Sequence, residues 1–80
     1  DYPTLLTCPI GALVVVTRVT DQDAEFLRFL ESSDLKPGQS VRVEVRNSTA
    51  DRVVVRGKND RQIMIGMRVA AKLQVALSDA

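Results

Sequence analysis

The chain has 80 residues, enough for one domain and no more, and 45% of them are hydrophobic, chiefly Val and Leu. Charged residues at 26% match an ordinary globular surface and exclude a disordered chain, and the formal net charge is only +1. Histidine is absent and Cys8 is the single cysteine, so no internal disulfide can form and the commonest general base and metal ligand are both missing.

No apolar run approaches the roughly 18 residues that span a bilayer, and no secretory signal opens the chain. With one thiol, a reduced, cytoplasmic setting is expected. The first residue is Asp1 rather than Met, which suggests a piece of something longer. The net charge hides an asymmetry. Over 1–35 the acids Asp1, Asp21, Asp23, Glu25, Glu31 and Asp34 outnumber Arg18 and Arg28, whereas over 36–72 bases outnumber Glu44, Asp51 and Asp60. An acidic front and a basic back suit docking against another surface, including another part of a longer chain.

In chain order, residues 1–11, with Pro3, Pro9 and Gly11, read as an extended leading segment. Ala12–Val19 is rich in β-branched residues and predicts a strand. Thr20 and Asp21 offer N-cap oxygens, with Asp23 and Glu25 in the first turn of a helix over about 22–32. Ala24, Leu27 and Leu30, with Phe26 four residues before Leu30, form its apolar stripe. Lys36-Pro37-Gly38 predicts a turn. Val41, Val43 and Val45 then alternate with Arg42, Glu44 and Arg46, one face buried and one wet. After a turn at 47–50, Val53 and Val55 are expected inward and Arg52, Val54 and Arg56 outward. Beyond a turn at 57–60, Ile63 and Ile65 point inward, a helical turn fits 67–71, and Leu73, Val75 and Leu77 close the series. Short strands with tight polar turns predict a mainly β fold: a small, SH3-like, partly open barrel of about five strands with one short α-helix after the first.

Enzymatic readings fail on inventory, because a serine or cysteine nucleophile finds no histidine base. Cys8 beside Pro9 reads as a buried small hydrophobe. The glycines 11, 38, 57 and 66 are isolated and read as turn residues taking positive φ, with no phosphate-cradling loop among them. Asp21, Asp23 and Glu25 admit two readings: hard oxygen ligands for a divalent ion, or caps and dipole complements at a helix N-terminus. They do not close a metal site alone. Arg42, Arg46, Arg52 and Arg56 admit a nucleic-acid face or a solvated barrel exterior. With only Tyr2, Phe26 and Phe29 as aromatics, and Tyr2 near a loose end, neither base stacking nor a proline-rich-ligand groove is well supplied.

The order of these elements resembles a known family. Pro9-Ile10-Gly11, then VVVTRVTDQDAEFLRFLESSDLKPGQSVRVEV, then IMIGMRVAAKLQVAL are similar to the FeoA-like domain, with Leu27, Leu30, Leu35, Pro37, Gly38, Gly66, Ala70, Ala71 and Val75 as markers. The likeness covers nearly all of 1–80 as a single domain. Such domains stand alone as FeoA proteins, which support ferrous iron transport, or form the C-terminal domain of metal-dependent repressors of the diphtheria toxin repressor family. The acidic stretch before Leu27 looks more like the repressor version. The resemblance implies a non-enzymatic regulatory domain that docks on upstream DNA-binding and dimerisation domains, touches DNA only through its parent, and does not enter the membrane. It also implies that Fe2+ or Mn2+ serves the parent as cofactor. Asp23 falls where iron-dependent members carry a glutamate ligand, and Phe26 where they carry a glutamine. The carboxylate is kept on a shorter arm and the second ligand is lost; Glu25 is the neighbouring candidate if the register shifts. The alternative is a free-standing accessory of ferrous iron transport.

Overall fold

A computed structural model of the protein describes residues 3–78; the readings made of Asp1 and Tyr2 fall outside the described residues. Five strands form, β1 (Leu13–Val19), β2 (Ser40–Asn47), β3 (Arg52–Arg56), β4 (Gln62–Ile65) and β5 (Leu73–Leu77). Helix α1 (Ala24–Ser32) lies between β1 and β2, and the short helix α2 (Met67–Ala71) between β4 and β5. All pairings are antiparallel, in the order β4-β3-β2-β1-β5.

This sheet is curled. Val14 and Val16, Val41 and Val43, Val53 and Val55, Ile63 and Ile65, and Leu73 and Val75 join one buried cluster, so the two outermost strands share a core. The extents of 31 × 29 × 29 Å agree, since a flat sheet is only about 10 Å thick. No ladder joins β4 to β5; α2 spans that gap, buries Ala70 and packs against β3 and β5. The result is the SH3-like, partly open barrel.

Two bulges give the strands their bend. On β1 the register against β5 shifts between Val16 and Arg18. On β2 the register against β3 shifts between Val43 and Val45, which leaves Glu44 as the extra residue. The second bulge overturns an expectation. Because side chains alternate with period 2, one added residue exchanges the two faces downstream. Val45 is therefore 46% exposed, and Arg46 shares the inner face with its cross-strand partner Val53. Val54, expected outward and wet, is 8% exposed between Val45 and Met64. Leu77, expected inward, is 66% exposed at the end of β5.

Helix α1 is shorter than expected at its start, and its cap is Asp23 rather than Thr20 or Asp21. It meets the core along a narrow line, with Leu30 buried and Phe26 half-buried one turn before it. Ala24 is exposed and Leu27 partly so, which corrects the wider stripe. Gly38 has φ 97° at the predicted turn, where its N–H donates to Val16 O at 2.8 Å and locks the turn to β1. Gly11 is also positive, but Gly57 and Gly66 are not (φ −110° and −79°), contrary to expectation. Asp34, Asp51, Asn59 and Asp60 take the left-handed conformations instead, as their short polar side chains tolerate.

The leading segment is not simply extended. Thr7 and Cys8 donate back to Thr4 O in a tight turn, and only Pro3–Leu5 run beside β5.

Candidate docking surfaces and the acidic helix entrance

The acidic stretch before α1 folds into a compact, internally satisfied entrance. Asp21 Oδ1 accepts from the Asp23 backbone N–H at 3.0 Å, and Asp23 Oδ2 accepts from the Phe26 N–H at 3.1 Å. The first is an Asx turn and the second an N-cap, so each carboxylate satisfies a donor that the helix start would leave orphaned. Asp21 Oδ2 also accepts from Lys72 Nζ at 2.7 Å, and that ammonium sits 5.0 Å from the centre of the Phe26 ring. The Lys72 hydrogen bond holds the Asp21 carboxyl below its ordinary range, with the Asp23 N–H adding to the effect. Glu25 is exposed in the first turn. The sequence places Asp21 at the cap and Asp23 in the first turn; the structure makes Asp23 the cap and joins Asp21 to its backbone, and Lys72, fifty-one residues from Asp21, completes the arrangement. Nothing local in the sequence marks Lys72 for that role.

Among the described residues no group of three or more Asp, Glu, Cys or His side chains could hold a metal ion. One Asp23 oxygen is occupied by the cap and Phe26 offers no donor atom, so the described residues do not by themselves build a metal centre. A site here would need donors from elsewhere, with Asp23 or Glu25 supplying oxygen alone.

The arginines part company. Arg46 lies inside, under the leading segment: Nη2 donates to Leu5 O at 3.0 Å and Cys8 O at 2.6 Å and reaches Cys8 Sγ at 3.7 Å. Its Nε is buried without a hydrogen-bond partner. Leu5 and Cys8 are buried, so the guanidinium satisfies carbonyls that water does not reach. Burial raises the Cys8 thiol pKa, outweighing the opposite pull of Arg46. Arg56 pairs with Glu44 (Nε to Oε2, 2.7 Å; Nη2 to Oε1, 3.2 Å) and donates to Asp60 O, while Gln62 Nε2 reaches the same Glu44. Arg56 holds the Glu44 carboxyl below its usual range. Arg52 leans on Met64 Sδ at 4.0 Å. The four arginines therefore form no single free stripe.

Two surface hollows stand out among the described residues. One, on the outer side of α1, is lined by Glu25, Arg28, Phe29, Glu31 and Ser32. The other is a groove of about 410 Å³ at the α1–β2 and β3–β4 turns, lined by Gly38, Gln39, Arg42, Arg56, Lys58 and Asp60 among others. The first is mostly acidic and the second mostly basic, so the charge asymmetry of the sequence becomes two separate patches. No helix among the described residues is long and apolar enough to cross a membrane.

A curled five-stranded sheet with an acidic-capped helix after its first strand defines a small SH3-like domain whose chemistry is surface chemistry. The chain belongs to the FeoA domain family, whose pattern it matches over residues 4–77. Comparison with curated protein sequences gave no match. Among solved structures, a manganese-dependent transcriptional repressor in complex with manganese superposes with TM-score 0.87 at 23% identity, over 98% of this chain and 37% of that one. IdeR of T. acidophilum matches with TM-score 0.79 at 22% identity, over 91% of this chain and 32% of that one. An iron uptake regulatory protein (FeoA) matches with TM-score 0.74 at 19% identity, over 90% of each chain. At these identities the likeness is one of fold. The chain spans less than half the length of the repressors it matches.

Proposed function

We propose that the chain is a non-enzymatic, cytoplasmic regulatory domain of an iron- or manganese-dependent transcriptional repressor. It acts by docking its charged patches on the DNA-binding and dimerisation domains of the same protein, and DNA is reached only through them. The observation that carries the reading is the acidic entrance of α1, in a chain whose fold superposes on a manganese-dependent repressor over 98% of its length. In the parent, Asp23 lends one carboxylate oxygen to a divalent metal whose other ligands come from outside this domain, with Glu25 as the neighbouring donor. Carboxylate oxygen suits Mn2+ and Fe2+ as a hard ligand.

Two experiments test this. The coding sequence ahead of Asp1 should hold a helix-turn-helix domain, and a start codon immediately before it removes the repressor reading. Titration of the chain with Mn2+, followed by NMR, should broaden Asp23 and Glu25 first and only at high metal concentration. A flat response at both positions leaves Asp23 with its capping role alone.

The second reading, a free-standing accessory of ferrous iron transport, is favoured by the FeoA structure matched over 90% of both chains. The same upstream sequence separates the two.

A further inference from the structure

The outer face of the sheet carries one pairing that the fold does not explain. Arg42, near the start of β2, lies directly opposite Arg56 of β3, and like charges so placed repel. Glu44 answers only one of them. Both of its oxygens accept from Arg56, and Oε1 also accepts from Gln62. Arg42 is exposed, feels Glu44 only at a distance, and among the described residues makes no hydrogen bond or ion pair. It opens into the basic groove at the α1–β2 and β3–β4 turns. There the side chains of Gln39, Ser40 and Lys58 also lack a hydrogen-bond partner among the described residues, while Asp60 is the one acid in the described lining. Leu13, half-buried and opposite Arg42 on the other side, adds an apolar wall.

We infer that this groove is a docking site for an acidic, extended segment of a protein partner, whose carboxylate sits against Arg42 and Lys58 and whose neighbouring apolar side chain rests on Leu13. Donors outnumber acceptors along the walls, so the ligand brings acceptor oxygens and negative charge. A carboxylate at Arg42 also relieves the repulsion from Arg56 that the free domain bears. The groove, at about 410 Å³, is on the scale that holds an organic ligand or several side chains rather than one inorganic ion. A nucleic acid fits it less well. Its described lining holds no aromatic to stack a base, and Glu44 and Asp60 beside the arginines would repel a strand of successive phosphates. Acidic residues in a peptide can instead be spaced to avoid them. Exposed ion pairs contribute little each, so the dissociation constant is on the order of 0.1–1 mM. The inference rests on the docking part of the regulatory reading but not on the nature of the parent. A start codon just ahead of Asp1 would remove the repressor and leave the groove's ligand unchanged, whereas an inert groove would leave the repressor standing.

The test is an NMR titration of the chain at low salt with a short blocked peptide of alternating glutamate and leucine. The expected result is saturable shifts centred on residues 39–42 and 56–60, weakening as salt rises. Arg42→Gln should lower the affinity by about threefold to tenfold. Its Tm should hold or rise, because a cross-strand repulsion goes with the charge. That pairing of lost binding with undiminished stability separates a docking residue from a structural one. Arg52→Gln removes the same charge from the same sheet outside the groove, and should leave the affinity unchanged. Several results overturn the inference: no saturable shift, shifts centred on the α1 hollow, or an unchanged affinity in Arg42→Gln. Equal binding of the peptide with glutamine in place of glutamate does the same. So does inorganic phosphate that reproduces the shifts alone (a simple anion site), or oligothymidylate of equal charge that binds the groove more tightly (a nucleic-acid face). Groove shifts that appear on concentrating the chain without peptide would assign the place to a second copy instead.

Discussion

The edge at β5 and the edge at β4 are built from similar strands, yet among the described residues only the first carries backbone partners along its outer side. At β5 the seal is a folded structure in its own right: Pro3–Leu5 laid along the strand, the Thr4–Cys8 turn, two buried side chains, and Arg46 reaching across from β2 to hold the carbonyls of Leu5 and Cys8. At β4, among the described residues, there is only a short strand with α2 following it across the gap, and no backbone partner on that side. The comparison teaches that sealing an edge requires apolar anchors and satisfied backbone groups together, since extended peptide without them would not outweigh its own conformational entropy.

The largest effect should come from breaking the sealed edge at its anchor. Leu5 is fully buried, so Leu5→Ala is expected to cost about 2–5 kcal/mol, read as a fall in the urea midpoint, with faster exchange of the Val75 amide. Arg46→Met should cost about 1–3 kcal/mol by leaving the carbonyls of Leu5 and Cys8 unpaired. Its sharper readout is chemical, because Cys8, shielded in the wild type, should react with an alkylating reagent measurably faster. The open edge gives the contrasting control: Met64→Ala should shift stability by no more than about 0.5 kcal/mol, as measured by thermal unfolding at low concentration.

The smallest effect is expected in acid, and it touches both sides of the barrel. Asp21, tied to Lys72 just ahead of β5, and Glu44, tied to Arg56 and to Gln62 of β4, both lie below their ordinary values of 3.8 and 4.5. A carboxyl with a lowered pKa in the folded state binds fewer protons there than in the unfolded chain. It adds stability above its ordinary value and loses it as pH falls through the lowered one. The Tm should therefore hold from neutral pH to about 5 and decline below about 4. Lys72→Met should flatten only the part of that decline owed to Asp21, as a pH series of melting curves would show.

The sequence made the barrel legible because β-branched runs, the Lys36-Pro37-Gly38 turn and the acidic helix start are local signals with local causes. Each of those residues sits where its own chemistry requires. The bulge at Glu44 is not local. Its cause is the bend needed to close the sheet, and no residue around Glu44 advertises it, so Val45 and Arg46 exchange faces without warning. The left-handed turns are a milder case. Gly57 and Gly66 sit at turns but with ordinary φ, while Asp51 takes φ 52° and directs Oδ1 to the Met67 N–H, ahead of α2. At the candidate site, the acidic helix start was readable but not which carboxylate caps it, and Lys72 arrives from the far end of the chain by way of the β1–β5 ladder.

The extra residue in β2 makes the strand sensitive to length rather than to composition. Substituting Glu44 would disturb one ion pair and leave every neighbour facing as it does. Deleting it would act as a reading-frame error written in space: Val45 would be carried to the interior, Arg46 would be carried out, and the clasp over residues 5–8 would have no hand to close it.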